Sequence, residues 1–179
     1  MPDETLALKM SNGTTLYRAA ESELTQPSFF DDGFGALYPT LTTLWRHPAM
    51  MPELVTHGPV SKFLLPTDAR TGADMMLPGV IVPAEGLGDF YFGQKRVIRV
   101  QGNAMPFAVG RMLVSSDDVQ RDGMKGKGLA VTHVFRDGLW AHSGRKVPNS
   151  GFGDTEITPA EGGWADGSGG ADVGGGGSD

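Results

Sequence analysis

The sequence predicts an α+β fold: a small N-terminal α/β domain over residues 1–57, a β barrel with one or two short helices over 58–147, and an unstructured acidic tail over 148–179. Three observations carry that reading. Short runs that alternate apolar and polar residues recur between turn dipeptides. One amphipathic helical stretch interrupts them after residue 40, and beyond Lys146 apolar periodicity stops.

A chain of 179 residues with 39% apolar side chains can bury a modest core. No window approaches the roughly 18 apolar residues of a membrane span, and the first ten residues are acidic rather than basic and apolar, so no membrane partner is expected. There is no cysteine, which suits a reducing, cytoplasmic setting and leaves out disulfides and thiolate chemistry.

At the N-terminus TLALKMS and TTLYRAA flank Asn12-Gly13, the signal of a β-hairpin. SELTQPSFFDDGFG reads as a loop that folds Phe29, Phe30 and Phe34 back on the core. Tyr38-Pro39-Thr40 then caps a helix through TLTTLWRH, with Leu37, Leu41, Leu44 and Trp45 on one face and Pro48 at its end.

Residues 72–83, GADMMLPGVIVP, place a polar turn and two methionines before Pro78-Gly79 and a β-branched run, so the chain must turn sharply into a strand. RVIRVQG (96–102) reads as a strand entering a tight turn at Gly102-Asn103, answered by FAVGRMLVS (107–115). SSDDVQRDGMKGKG opens with capping residues from Ser115 and ends in glycines, which suits a short helix and then a loop. LAVTHVF (129–135) is a further strand, turned by Arg136-Asp137-Gly138 into LWAHSG. The segment after Lys146, rich in Gly, Ser and Asp with an isolated Trp164, reads as a linker or tail.

Charge divides the chain into three blocks. Residues 1–94 carry 5 basic and 11 acidic side chains, residues 95–146 carry 10 and 4, and residues 147–179 carry 0 and 6. A basic block between acidic ones suits a polyanion-binding surface; the alternative is charge dispersed over solvated faces.

Enzyme templates find no support. The histidines His47, His57, His133 and His142 form no metal-ligand spacing, and no Gly-x-Ser-x-Gly elbow is present. GMKGKG (123–128) lacks the Walker spacing; it reads either as a basic loop touching phosphates through Lys125 and Lys127 or as an ordinary surface loop. No catalytic residue, cofactor or metal is expected.

The stretches LYPTLTTLWRHP, GADMMLPGVIVP, VIRVQGNAMPFAVGRMLVSSDDV and GMKGKGLAVTHVFRDGLW resemble, in order and spacing, the N-terminal region of the ligatin (eukaryotic translation initiation factor 2D) family, and less closely the malignant T-cell-amplified-sequence proteins. The resemblance covers roughly residues 5–147. It implies that the barrel is a PUA domain, an RNA-binding pseudobarrel. It further implies that Thr71, Gly72, Ala73 and Asp74 start a short helix whose exposed end and small side chains admit an RNA backbone, with Met75, Met76 and Leu77 packed inward and Pro78 turning the chain. Arg70, Thr71, Gly72, Ala73, Met76, Pro78, Lys125, Lys127 and Arg145 are then the expected RNA-binding residues.

By the same resemblance the partners are the small ribosomal subunit and tRNA or ribosomal RNA. The expected activity is placement of initiator tRNA without GTP hydrolysis, or tRNA release during recycling. Relatives have more chain before the hairpin at Leu6 to Ala19 and carry a SUI1-like module further along, so a shortened N-terminal domain and a SUI1-domain protein partner are expected. Two other readings stand beside it: a general RNA-binding module of an RNA-modification factor, and a protein-interaction module using Phe29, Phe30, Phe34 and Trp45.

Overall fold

The computed structural model of the chain describes residues 4–19 and 26–164. The first unit is a four-stranded antiparallel meander. β1 (Thr5–Lys9) and β2 (Thr15–Ala19) pair in register from Thr5 with Ala19 to Lys9 with Thr15. Their turn is built as the sequence suggests: Asn12 Oδ1 accepts the Thr14 amide at 3.0 Å, and Gly13 takes a positive φ of 92° that a Cβ would disfavour. β3 (Phe29–Asp31) and β4 (Leu37–Pro39) complete the sheet in the order β1-β2-β3-β4.

Two local expectations change here. The stretch around Phe29 is a strand rather than a loop, and only part of its aromatic content turns inward: Phe30 is buried, whereas Phe34 is 95% exposed. The Asp32 carboxylate explains Phe34, because it accepts the amides of Phe34 and Ala36 and fixes a turn that points outward. Leu37 also leaves the predicted helical face. Pro39 favours an extended Tyr38, so the chain stays in β4 and Leu37 is 48% exposed.

The helix α1 (Leu41–Arg46) starts two residues after Pro39, with the Thr40 hydroxyl accepting from the Thr43 amide. Its buried face carries Leu41, Leu44 and Trp45. The Trp45 indole donates to the Pro106 carbonyl at 2.8 Å, which joins this first unit to the second.

The second unit is a six-stranded sheet curled into a barrel. Its elements are β5 (Glu53–Thr56), helix α2 (Gly58–Leu64), β6 (Met75–Met76), a three-residue 3-10 turn (Leu77–Gly79), β7 (Val80–Ile81), β8 (Lys95–Val100), β9 (Ala108–Met112), helix α3 (Ser116–Asp122) and β10 (Lys127–Val134). A last helix, α4 (Gly138–His142), follows. Strand order is β6-β10-β9-β8-β5-β7, with β5 and β8 parallel and the other neighbours antiparallel. β6 is one edge of the sheet, paired with β10, and β7 is the other, paired with β5, so the single segment 75–81 bridges the two edges. That is why the chain turns so sharply at Pro78-Gly79: the turn carries it across the seam. The Leu77 amide donates to the Gly126 carbonyl and the Thr56 hydroxyl to the Gly79 carbonyl, which stitches both sides.

β5 belongs to this sheet, so the barrel begins before the 57/58 boundary drawn from the sequence. The β8–β9 connection is also longer than a two-residue turn. Asn103 is fully buried, its amide group donating to the Thr158 carbonyl and to the Asn149 side chain. α3 has the capping box that its sequence announces, and the Ser115 amide, with the Ser115 hydroxyl and Arg121, holds the Asp118 carboxyl below its ordinary range.

The segment after Lys146 is a further correction. Phe152 and Ile157 are buried in the common core, the Ile157 amide donates to the Ser61 hydroxyl at 2.9 Å, and Trp164 lies 5.3 Å from Trp45. Three well-spaced apolar anchors in a glycine-rich strap suffice to order it, although no periodicity announces them. The rest of the expected tail, 165–179, lies outside the described residues. One continuous core runs from Leu16, Phe30 and Tyr38 through Trp45 to Phe107, Val109 and Ile157.

Candidate nucleic-acid interface

α2 ends at Leu64, and a tight turn closed by Thr67 and Arg70 leads the chain back along it. The Arg70 guanidinium donates to the Phe63 carbonyl at 3.2 Å and to the Lys62 carbonyl at 3.0 Å, so it neutralises the negative end of that helix while staying exposed. Thr71 and Ala73 are exposed, but the Ala73 amide is already given to the Phe63 carbonyl.

Gly72 has a different reason for being glycine than the one the resemblance implies. A Cβ there would stand 1.8 Å from the Leu64 carbonyl oxygen and 2.8 Å from its carbon. The missing side chain admits the chain's own backbone. Nor does a helix start at Thr71: the next helical residues are Leu77–Gly79, and the Leu77 amide is bonded to Gly126. Unpaired helix-start amides for a phosphate are therefore not what this corner offers.

What it offers is an alternating rim. Met75 and Leu77 are buried in the barrel, while Met76, expected to pack inward, is 45% exposed because the two-residue strand β6 points alternate side chains to opposite faces. Pro78 is exposed beside it. Asp74 fastens this rim to β10: one carboxylate oxygen accepts the Val131 amide at 3.0 Å, at the bulge in β10, and the other meets Lys127 Nζ at 3.3 Å. Lys125 is exposed in the loop between α3 and β10 and makes no ion pair among the described residues.

Arg70, Thr71, Ala73, Met76, Pro78, Lys125 and Lys127 thus gather around the seam, with Gly72 beneath. Arg145 does not join them. It follows α4, its amide donating to the Trp140 carbonyl, after the C-terminal end of β10, whereas Lys127 opens that eight-residue strand, which at about 3.3 Å per residue is roughly 23 Å long.

The basic block also disperses. Arg99 forms a bidentate pair with Glu53, Arg121 pairs with Asp118 and Asp122, Arg136 with Asp154, and Lys95 donates to the Leu37 carbonyl. Arg96 is buried, donating to Gln94 and the Glu53 carbonyl, and burial lowers its pKa. The +6 excess over 95–146 is thus largely spent on holding the fold, and the cationic rim at the seam is a small part of it.

A second pair joins the barrel to the first unit. His133 Nδ1 lies 2.7 Å from Asp137, whose carboxylate also accepts the amides of Val134 and Trp140, and the His133 ring meets the Phe30 ring edge-on at 5.5 Å. Burial works to raise the Asp137 pKa, but the neighbouring His133 and the two amides outweigh it and hold the carboxyl below its ordinary range. This is a structural histidine.

Two features escaped the sequence reading. Asp74 reads in the sequence as part of a turn or helix start, since nothing local reveals that it will satisfy a bulge 57 residues away. Tyr91 and Phe92 are the other: both are largely exposed in the loop before β8, and a cue existed in the glycines that bracket GDFYFG.

An incompletely regular barrel closed by one segment that serves both edges is the PUA architecture. A hypothetical protein from Pyrococcus horikoshii shares this fold at a TM-score of 0.59 and 21% identity, covering 79% of this chain and 80% of that one. A PUA domain from Aeropyrum pernix does so at a TM-score of 0.56 and 20% identity, over 78% and 72% of the two chains. The particular kind follows from sequence: residues 51–138 match the family described as "eIF2D, PUA domain". Eukaryotic translation initiation factor 2D from Rattus norvegicus is 40% identical over 112 residues, 63% of this chain and 19% of that protein. The Homo sapiens protein is 36% identical over 114 residues, again 19% of its length. Malignant T-cell-amplified sequence 1 from Danio rerio is 32% identical over 112 residues, 59% of its length. This chain therefore spans under a fifth of the initiation factors it matches.

Proposed function

We propose that this chain is an RNA-docking unit of a translation factor. It binds the small ribosomal subunit together with tRNA, through the seam end of its PUA barrel, and assists GTP-independent placement of initiator tRNA or tRNA release in recycling. The observation that carries the reading is the match of residues 51–138 to the initiation-factor PUA family, because that span contains the whole seam from Arg70 to Lys127. No bond is made or broken in this role: the exposed cations Arg70, Lys125 and Lys127 contact backbone phosphate, and Met76 and Pro78 offer an apolar step against ribose or base edges. A SUI1-domain protein is the partner that would complete the activity. The reading that makes Phe29, Phe30, Phe34 and Trp45 a partner surface loses ground, since Phe30 and Trp45 are buried, Phe29 is half-buried and Phe34 alone of the four is exposed. Titration of labelled tRNA across a salt series tests the proposal: binding whose logarithm falls linearly with log salt supports it, and absence of binding at low salt overturns it.

A further inference from the structure

We propose that Tyr91 and Phe92 form a stacking platform for unpaired RNA bases, continuous with the cationic seam; this deepens the RNA-binding reading and rests on it. The two rings are 65% and 62% exposed, although the preceding Phe90 is buried with the Arg96 guanidinium 5.2 Å from its ring centre. Phe90 anchors the loop and its two neighbours project from it. Two adjacent aromatic side chains forgo a large apolar burial by standing in water, which marks a surface that meets something else.

The loop is held firmly on both sides of the pair. The Phe90 carbonyl accepts the amide and hydroxyl of Ser116, the Gln94 amide donates to Tyr91, and the Gly93 amide donates to Met112 at 2.8 Å. Position follows from the same ladder. Gly93 bonds to Met112, and the next residue, Leu113, bonds to Gly128, which adjoins Lys127. The platform therefore lies about two strand spacings, roughly 10 Å, from the start of β10. Arg111, opposite Lys95 in the β8–β9 register, is exposed at the same end and forms no ion pair among the described residues. The acidic residues of this loop, Glu85 and Asp89, line a groove shared with Val119 and Met124.

Exposed rings beside Arg111, Lys125 and Lys127 suit a flexible polyanion with stackable faces better than a protein surface. Phosphates reach the cations while splayed bases lie on the rings, an arrangement that tolerates any base sequence.

The test titrates the full chain with a fluorescein-labelled, unpaired RNA of about 12 nucleotides, with the same backbone lacking bases, and with a duplex of equal length. The wild type is expected to favour the unpaired RNA over both. Tyr91→Ala with Phe92→Ala is expected to weaken that binding at least about 5-fold with an unchanged salt slope, and Tyr91→Phe with Phe92→Tyr to retain it. Equal affinity of the double alanine variant, or of the base-free backbone, overturns the platform while leaving the RNA-binding reading in place. A wild type that binds none of the three overturns both and leaves the rings to a protein partner.

Discussion

Gly72 lies so close beneath the Leu64 carbonyl that a Cβ on it would stand 1.8 Å from that oxygen. The residue that resemblance marks as an opening for RNA is thus first a packing requirement between α2 and the barrel seam. Gly72→Ala is expected to cost about 2–3 kcal/mol through forced backbone shifts, read as a lower urea midpoint. A variant as stable as the wild type would show that the seam gives way freely.

Lys125 and Lys127 test the seam without disturbing the fold, since both are exposed and only Lys127 has a partner, Asp74. Lys125→Glu with Lys127→Glu is expected to weaken tRNA binding and to lower the salt slope by about 2. Unaltered melting would confirm that the loss lies in binding. An unchanged slope would remove this loop from the site.

Arg145 provides the contrast. Placed beyond the far end of β10, it should contribute little to seam binding, so Arg145→Ala is expected to change tRNA affinity less than about 2-fold while the lysine pair changes it strongly. A loss equal to that of the lysines would extend the interface along the whole barrel.

Asp137 links pH to stability. Its carboxyl titrates lower in the folded chain than the ordinary aspartate value of about 3.9, so the stabilisation it contributes is present above about pH 4 and is lost as pH falls through the folded-state value. Asp137→Asn is expected to lower the melting temperature at neutral pH and to flatten the acid limb of melting between about pH 2 and 5. An acid limb as steep as that of the wild type would place the acid sensitivity elsewhere.

The strap makes a prediction that composition would not. Ile157 is fully buried, so Ile157→Ala is expected to cost about 2–4 kcal/mol despite lying in a glycine-rich acidic stretch. A cost near zero in urea unfolding would show that the strap is dispensable.

Legibility in the sequence followed the range of the interaction. Asn12-Gly13, Thr40 and Ser115 set their turn and helix starts through contacts two or three residues away, and these were readable directly. The β8–β9 pairing followed from alternation. Asp74 with Val131, Ser61 with Ile157 and Gly72 with Leu64 depend on where the barrel brings distant chain segments, which no local pattern encodes. The basic block misled for the same reason: its excess was readable, but Arg99 and Arg136 find their carboxylates only in the fold, on Glu53 and Asp154. The seam itself was legible as a sharp turn at Pro78-Gly79, although its purpose, to let one segment serve both edges of the sheet, was not.

The most direct measurement is cosedimentation of the 179-residue chain with purified small ribosomal subunits, with and without initiator tRNA, across a salt series. The account predicts saturable binding that weakens with salt and strengthens when tRNA is present. Absence of binding to the subunit at low salt, beside retained affinity for free tRNA, would contradict it and leave a general RNA-binding module.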